Sequence, residues 1–108
     1  MHVNTDNEAL LELYTTGKSD DKRYKKLSKS TISGFVKAVN MIKNANRIED
    51  LFQYKGLNYE RLGGDLKGFE SVRCDKKYRL MFKSSTLDNS IIVTEVELFE
   101  ITNHYDSL

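Results

Sequence analysis

Apolar positions follow two periods along the chain, helical up to about residue 56 and alternating from residue 57 onward. In the first part, Ile32, Phe35, Val36, Val39 and Ile42 recur at i, i+3, i+4, i+7 and i+10. That spacing puts them on one stripe and predicts an amphipathic helix over 31–45. Ser30 or Thr31 can accept from its first free amides, and Asn46 can take the left-handed stop. Residues 7–15 predict a shorter helix, with Asp6 or Asn7 as cap and Gly17 as stop. Residues 20–29 are polar with Tyr24 and Leu27 as anchors, a weak helix or an ordered loop. One helical turn over Ile48–Phe52 ends by Gly56.

The second part reads as strands. Leu57 to Leu62 alternates until Gly63-Gly64-Asp65 breaks the pattern, more as a tight turn or bulge than as a phosphate loop, since no helix follows. Phe69–Cys74 and Tyr78–Phe82 predict a hairpin joined by the polar turn Asp75-Lys76-Lys77. Alternation puts Tyr78, Leu80 and Phe82 on one face and Arg79, Met81 and Lys83 on the other. A loop over 84–90 leads into the β-rich run 91–101. Helices followed by a meander of about four antiparallel strands predict an α+β fold, one domain over residues 1–108.

Composition narrows the field. The apolar share of 39% suits a small core and leaves no room for a large internal ligand cavity. No apolar run reaches the roughly 18 residues of a membrane helix, and the first residues lack the basic start and apolar stretch of a secretory signal. Cys74 is the single cysteine, which excludes an intrachain disulfide and a thiolate-rich metal site. A reduced, cytoplasmic protein with no membrane partner is expected, Cys74 serving as a small buried hydrophobe. No cofactor is expected, because no Asp, Glu or His set has convincing metal-ligand spacing.

The net charge of +1 conceals an uneven distribution. Residues 61–83 carry seven basic groups against three acidic ones, residues 18–29 carry six basic groups, and residues 88–108 carry five acidic groups and no Lys or Arg. Positive charge on a glycine-hinged antiparallel hairpin is a good way to hold a phosphate backbone. Arg79 is the first candidate, since a guanidinium can hold two phosphate oxygens; its plainer role is a surface strand residue pairing with Glu70 across the hairpin. Arg73 shares a face with Ser71 and Phe69 and is either pinned structurally or turned to a ligand. Lys67, Lys76, Lys77 and Lys83 stand near turns, each an ordinary solubilising lysine taken alone and together a track for RNA phosphates.

The ordered set Leu62-x-Gly64-Asp65-x-x-Gly68-Phe69-x-Ser71-Val72-Arg73-Cys74-x-x-x-Tyr78-Arg79-Leu80-x-Phe82 resembles the HigB branch of the RelE/ParE toxins. With the preceding helix and the acidic last strand, the resemblance covers most of residues 10–106. It implies a RelE-like microfold, N-terminal helices on a small sheet, and a toxin that cuts messenger RNA in the ribosomal A site. It also implies a cognate HigA-like helix-turn-helix antitoxin, through which the toxin–antitoxin complex binds operator DNA.

Metal-free RNA cleavage needs a group to take the 2′-hydroxyl proton, a group to protonate the leaving oxygen, and fixed cations around the phosphate. The resemblance assigns phosphate contact to Arg79, with Arg73 as the arginine of the Ser-Ile-Arg element. His104 and Tyr105 fall where HigB proteins end in an Asp-Tyr-His triplet, with a C-terminal cap and a core-edge ring as their plainer roles. The tail reads Asn103-His104-Tyr105-Asp106, so the two exchange order or the register slides by one. The family's histidine upstream of the glycine turn is replaced by Glu60-Arg61, so either the Glu60 carboxylate takes the base role or that upstream base is missing. The alternatives are a non-catalytic inhibitor of DNA gyrase like the ParE branch, which does not require the polar tail, and a plain RNA- or protein-binding module.

Overall fold

The computed structural model describes residues 1–86 and 93–103. Strand β1 (His2–Thr5) is followed by helices α1 (Glu8–Thr16) and α2 (Lys29–Asn44), two 3-10 turns, and strands β2 (Glu60–Arg61), β3 (Glu70–Arg73), β4 (Arg79–Thr86) and β5 (Val93–Thr102). The sheet has five strands in the order β1-β5-β4-β3-β2, with β1 parallel to β5 and the other pairs antiparallel. The α+β expectation holds, and the sheet gains one strand over the four foreseen. The extra strand is β1, which pairs with β5 at the far end of the chain.

Both helices end on local chemistry. Asn7 accepts from the amides of Ala9 and Leu10, and Gly17 stops α1 at φ 76, as its lack of Cβ permits. Helix α2 starts two residues earlier than foreseen because Ser28, rather than Ser30 or Thr31, caps the Thr31 amide at 3.1 Å. It stops at Ala45 in an extended conformation, so Asn46 is not a left-handed cap. The turn after it is a 3-10 turn over Ile48–Gln53, and a second follows at Lys55–Leu57. That second turn and the left-handed Asn58 (φ 43) consume the start of the strand expected from 57 and leave β2 two residues long.

The core lies between the helices and one sheet face. Leu10, Leu13, Phe35, Val39 and Ile42 pack against Val72, Leu80, Phe82, Val96, Leu98 and Ile101. A Cβ on Gly34 would stand 1.9 Å from the Cys74 carbonyl oxygen, so only glycine lets α2 lie this close to the end of β3. Asp75 fastens the same junction. It accepts from the amides of Lys77 (2.8 Å) and Tyr78 (2.7 Å) and from the Thr31 hydroxyl at the start of α2.

Of segment 20–29, residues 20–28 form an ordered loop with Tyr24 and Leu27 as its buried anchors, and Lys29 opens α2. The pairing of β1 with β5 ends at Leu98. Beyond it the Asn7 side chain donates to the Phe99 carbonyl (2.9 Å), and the Tyr24 hydroxyl accepts from the Ile101 amide (3.4 Å). These side chains take over backbone groups that β1 no longer reaches.

Strand β4 runs through Ser84–Thr86, which the sequence assigned to a loop; residues 87–90 of that loop and 91–92 of the following run lie outside the described residues. Against Met81 and Phe82, β5 carries one extra residue, Phe99, a bulge that sharpens the local twist.

Candidate active site

Antiparallel register sets the face opposite the helices, because cross-strand partners point the same way. Glu60 pairs with Ser71, Ser71 with Met81 and Met81 with Glu100; the next row is Arg73, Arg79 and Thr102. Sequence alternation implies that such a face is wet, yet Ser71, Arg79 and Met81 are all buried. Arg79 is 2% exposed, the largest fully buried side chain among the described residues.

A polar cage accounts for that burial. The Arg79 Nε donates to the Ser71 hydroxyl at 2.8 Å, and its Nη2 to the Ser71 carbonyl at 3.3 Å and to the Asn58 carbonyl. The left-handed turn at Asn58 directs that carbonyl inward, a conformation asparagine tolerates better than most residues. The Glu60 carboxylate lies 3.8 Å from Nη2, with its side chain 42% exposed. The expected Arg79–Glu70 pairing does not form, because Glu70 stands opposite Phe82 and points to the helix side. There the Glu70 carboxylate accepts from the Tyr59 hydroxyl and from the amide (2.9 Å) and hydroxyl (2.7 Å) of Ser84. Burial, then the neighbouring Glu70 carboxylate, raises the Tyr59 phenol well above its ordinary value.

Arg73 is exposed directly opposite Arg79. Like charges facing each other across strands are unfavourable, so the pair concentrates positive potential at this end of the hairpin. Arg73 also lines a groove of about 520 Å³ with Lys37 and Lys55, beside Gly34 and Cys74. Burial, and next the Asp75 charge, push the Cys74 thiol up to about 12, so it stays a protonated packing group at neutral pH.

The four lysines fall into two groups. Lys76 and Lys77 sit at the hairpin turn beside Arg73, and the Lys77 ammonium lies 5.6 Å from the Tyr78 ring. Lys67 and Lys83 sit at the other end of β3 and β4. The Lys83 ammonium rests 4.4 Å from the Phe69 ring and 5.4 Å from the Phe99 ring, a pair in edge contact at 4.9 Å. The single lysine track read from the sequence is therefore divided.

Thus Glu60, Arg73 and Arg79 come together, while Lys67 and Lys83 stand apart from them. His104 and Tyr105 lie outside the described residues. The sequence reading missed Asn58, Lys37 and Lys55. Asn58 falls in the stretch that alternates as a strand, Lys37 in the helix expected over 31–45 and Lys55 beside the turn signal Gly56, and neither period singles out a ligand contact.

The fold is shared with a YoeB/ParE toxin from Agrobacterium tumefaciens, at a TM-score of 0.53 and 15% identity over 97% of this chain and 100% of that one. Residues 7–98 match the family model of the HigB-like toxins, described as the RelE-like toxin HigB of type II toxin–antitoxin systems. The chain is also 34% identical to Toxin HigB-1 of Vibrio cholerae serotype O1 over 64 residues, 59% of this chain and 67% of that protein. The chain belongs to the HigB-like toxin family, as the toxin of a type II toxin–antitoxin pair.

Proposed function

We propose that this toxin is a metal-independent endoribonuclease that cuts messenger RNA in the ribosomal A site and so arrests translation. The observation that carries the reading is the Glu60–Arg79 pair at 3.8 Å, held beside the exposed Arg73 on the sheet face opposite the helices. Arg73, with Lys76 and Lys77 next to it, meets the phosphate. Arg79 works from behind, orienting the Glu60 carboxylate and adding positive charge beneath the reacting group. Strand β5 ends at Thr102, the register partner of Arg79. His104 and Tyr105 enter the reading through the family resemblance alone.

In the step itself, Glu60 or His104 takes the proton from the 2′-hydroxyl, whose oxygen attacks the adjacent phosphorus. The bond to the 5′-oxygen breaks, and that oxygen receives a proton from His104 or Tyr105. The products are a 2′,3′-cyclic phosphate and a 5′-hydroxyl. Lys67 and Lys83 bind RNA further along the strand. The ribosome and a cytoplasmic site of action enter through family membership, as does a HigA-like helix-turn-helix antitoxin that carries the complex to operator DNA.

The test is incubation of message with purified toxin, with and without ribosomes, followed by mapping of the fragment ends. Cleavage only with ribosomes, leaving those two end groups, is the expected result. Intact message together with gyrase-dependent DNA breaks in expressing cells would replace this reading with the ParE-like one.

A further inference from the structure

The 3-10 turn Ile48–Gln53 buries Ile48 and Leu51 and leaves Phe52 outside, 55% exposed, with Tyr54 41% exposed beside it. Single exposed apolar residues are ordinary on a protein surface; these two belong to a built cleft. Phe52, Tyr54 and Tyr59 line a recess of about 500 Å³ together with Lys55, Asn58 and Arg61. The Phe52 ring lies 5.1 Å from Tyr59 and is tilted 39° to it, and Tyr59 in turn lies 6.3 Å from the buried Phe82 ring. The Tyr59 hydroxyl is held by Glu70. The aromatic floor is therefore fixed by the core before any ligand arrives.

Two cations and no carboxylate line the recess. The Tyr59 side chain acts most on Arg61, followed by the Glu70 and Glu49 carboxylates, which lie outside the lining; Glu49 is itself engaged by Arg47 at 3.9 Å. Lys55 also lines the groove that holds Arg73 and Lys37, so Arg73, Lys37, Lys55 and Arg61 form one basic band. Asn58 joins the two places directly, lining the recess while its carbonyl holds Arg79. Glu60 and Arg61, consecutive in β2, point to opposite faces, so Glu60 belongs to the cluster and Arg61, with Tyr59, to the recess.

Exposed rings with flanking cations and no acid suit a single RNA strand. Bases stack on aromatic side chains, and the adjoining phosphates meet lysine and arginine. We infer that this recess binds an unpaired base of the message, a nucleotide or two from the cut, stacked on Phe52 and Tyr54 with its phosphate on Lys55 and Arg61. The inference rests on the proposed RNA chemistry for the identity of the strand, and its test is made independent of cleavage.

A short single-stranded RNA carrying 2′-O-methyl groups, which has no free nucleophile, is titrated into the full chain without ribosomes and followed by NMR. Shifts should concentrate in residues 52–61. Phe52→Ala and Tyr54→Ala should each weaken binding by about 5- to 100-fold, with an unchanged melting temperature, and Phe52→Trp should retain it. Removing Lys55 or Arg61 should lower the slope of log affinity against log salt by about one.

An oligonucleotide that leaves 52–61 unshifted, or binds Phe52→Ala as tightly as the wild type, overturns the inference. So does a Phe52→Ala protein that keeps RNA affinity but loses antitoxin affinity, which would give the recess to the protein partner. A chain that binds here but never cuts message sinks the proposed function alone, whereas one that cuts message but ignores the oligonucleotide sinks the recess alone.

Discussion

The β3–β4 hairpin buries side chains on both faces by different means. Toward the helices, Val72, Leu80 and Phe82 are held by shape and volume among Leu10, Phe35 and Ile42. On the other side Ser71 and Arg79 are equally buried but held by direction, with the Arg79 Nε and Nη2 aimed at particular oxygens. The first arrangement tolerates another apolar group of similar size. The second tolerates almost nothing, because a guanidinium fork has no isostere among the side chains. A small domain gains most of its stability from the first kind of burial. The second serves to fix a charge, and next to it stands the one arginine of the row left exposed, Arg73.

Substitutions on the two faces should break this contrast in order of size. Phe35→Ala, on the packed side, should cost about 3–5 kcal/mol in denaturant unfolding. Gly34→Ala forces a methyl group into the Cys74 carbonyl and should cost about 1–3 kcal/mol or more. On the polar side Arg79→Met should cost about 2–3 kcal/mol, since it leaves the Asn58 and Ser71 carbonyls without this donor. Arg79→Lys should recover only part of that loss. Loss of toxicity in an Arg79 variant therefore has to be read beside its melting temperature.

Asp75 sharpens the comparison through pH. Burial alone would raise its carboxyl, but hydrogen bonds from Thr31, Tyr78 and Lys77 outweigh burial and hold it below the ordinary value. A depressed folded value stabilises above the unfolded value of about 3.9 and is lost as pH falls through the folded one. Asp75→Asn should cost about 1 kcal/mol near neutrality, and its gap from the wild type should close below about pH 4. Arg73→Ala should change stability least, by less than about 0.5 kcal/mol and toward gain, because it relieves a like-charge pair. The same change should markedly reduce growth arrest on expression.

Much of this arrangement was legible in the chain where a regular period coincided with burial on one side. The stripe of α2, the Gly17 stop, the anchors Tyr24 and Leu27 and the β3–β4 hairpin all follow from local patterns. Strand β1 did not, because four residues offer too little alternation and its partner lies at the far end of the chain. Nor did the burial of Arg79. A charged residue in an alternating strand reads as solvent-facing, and the groups that make burial tolerable, the Ser71 hydroxyl and the Asn58 carbonyl, converge only in the folded state. The Asn58 carbonyl depends on a left-handed turn after a 3-10 segment, at a position where the sequence has asparagine in place of the glycine that would mark it. Glu60 was visible only as a departure from the family pattern, and the fold gives that departure a partner in Arg79.

The central claim is that Glu60, oriented by Arg79, takes part in the proton transfer that cuts RNA. It is tested most directly by the single-turnover cleavage rate of ribosome-bound message for Glu60→Gln beside the wild type, with matched melting temperatures. Glutamine keeps the size and a hydrogen-bond acceptor but cannot take the proton, so the rate should fall by about 10²- to 10⁴-fold. A rate within about twofold of the wild type would contradict the assignment.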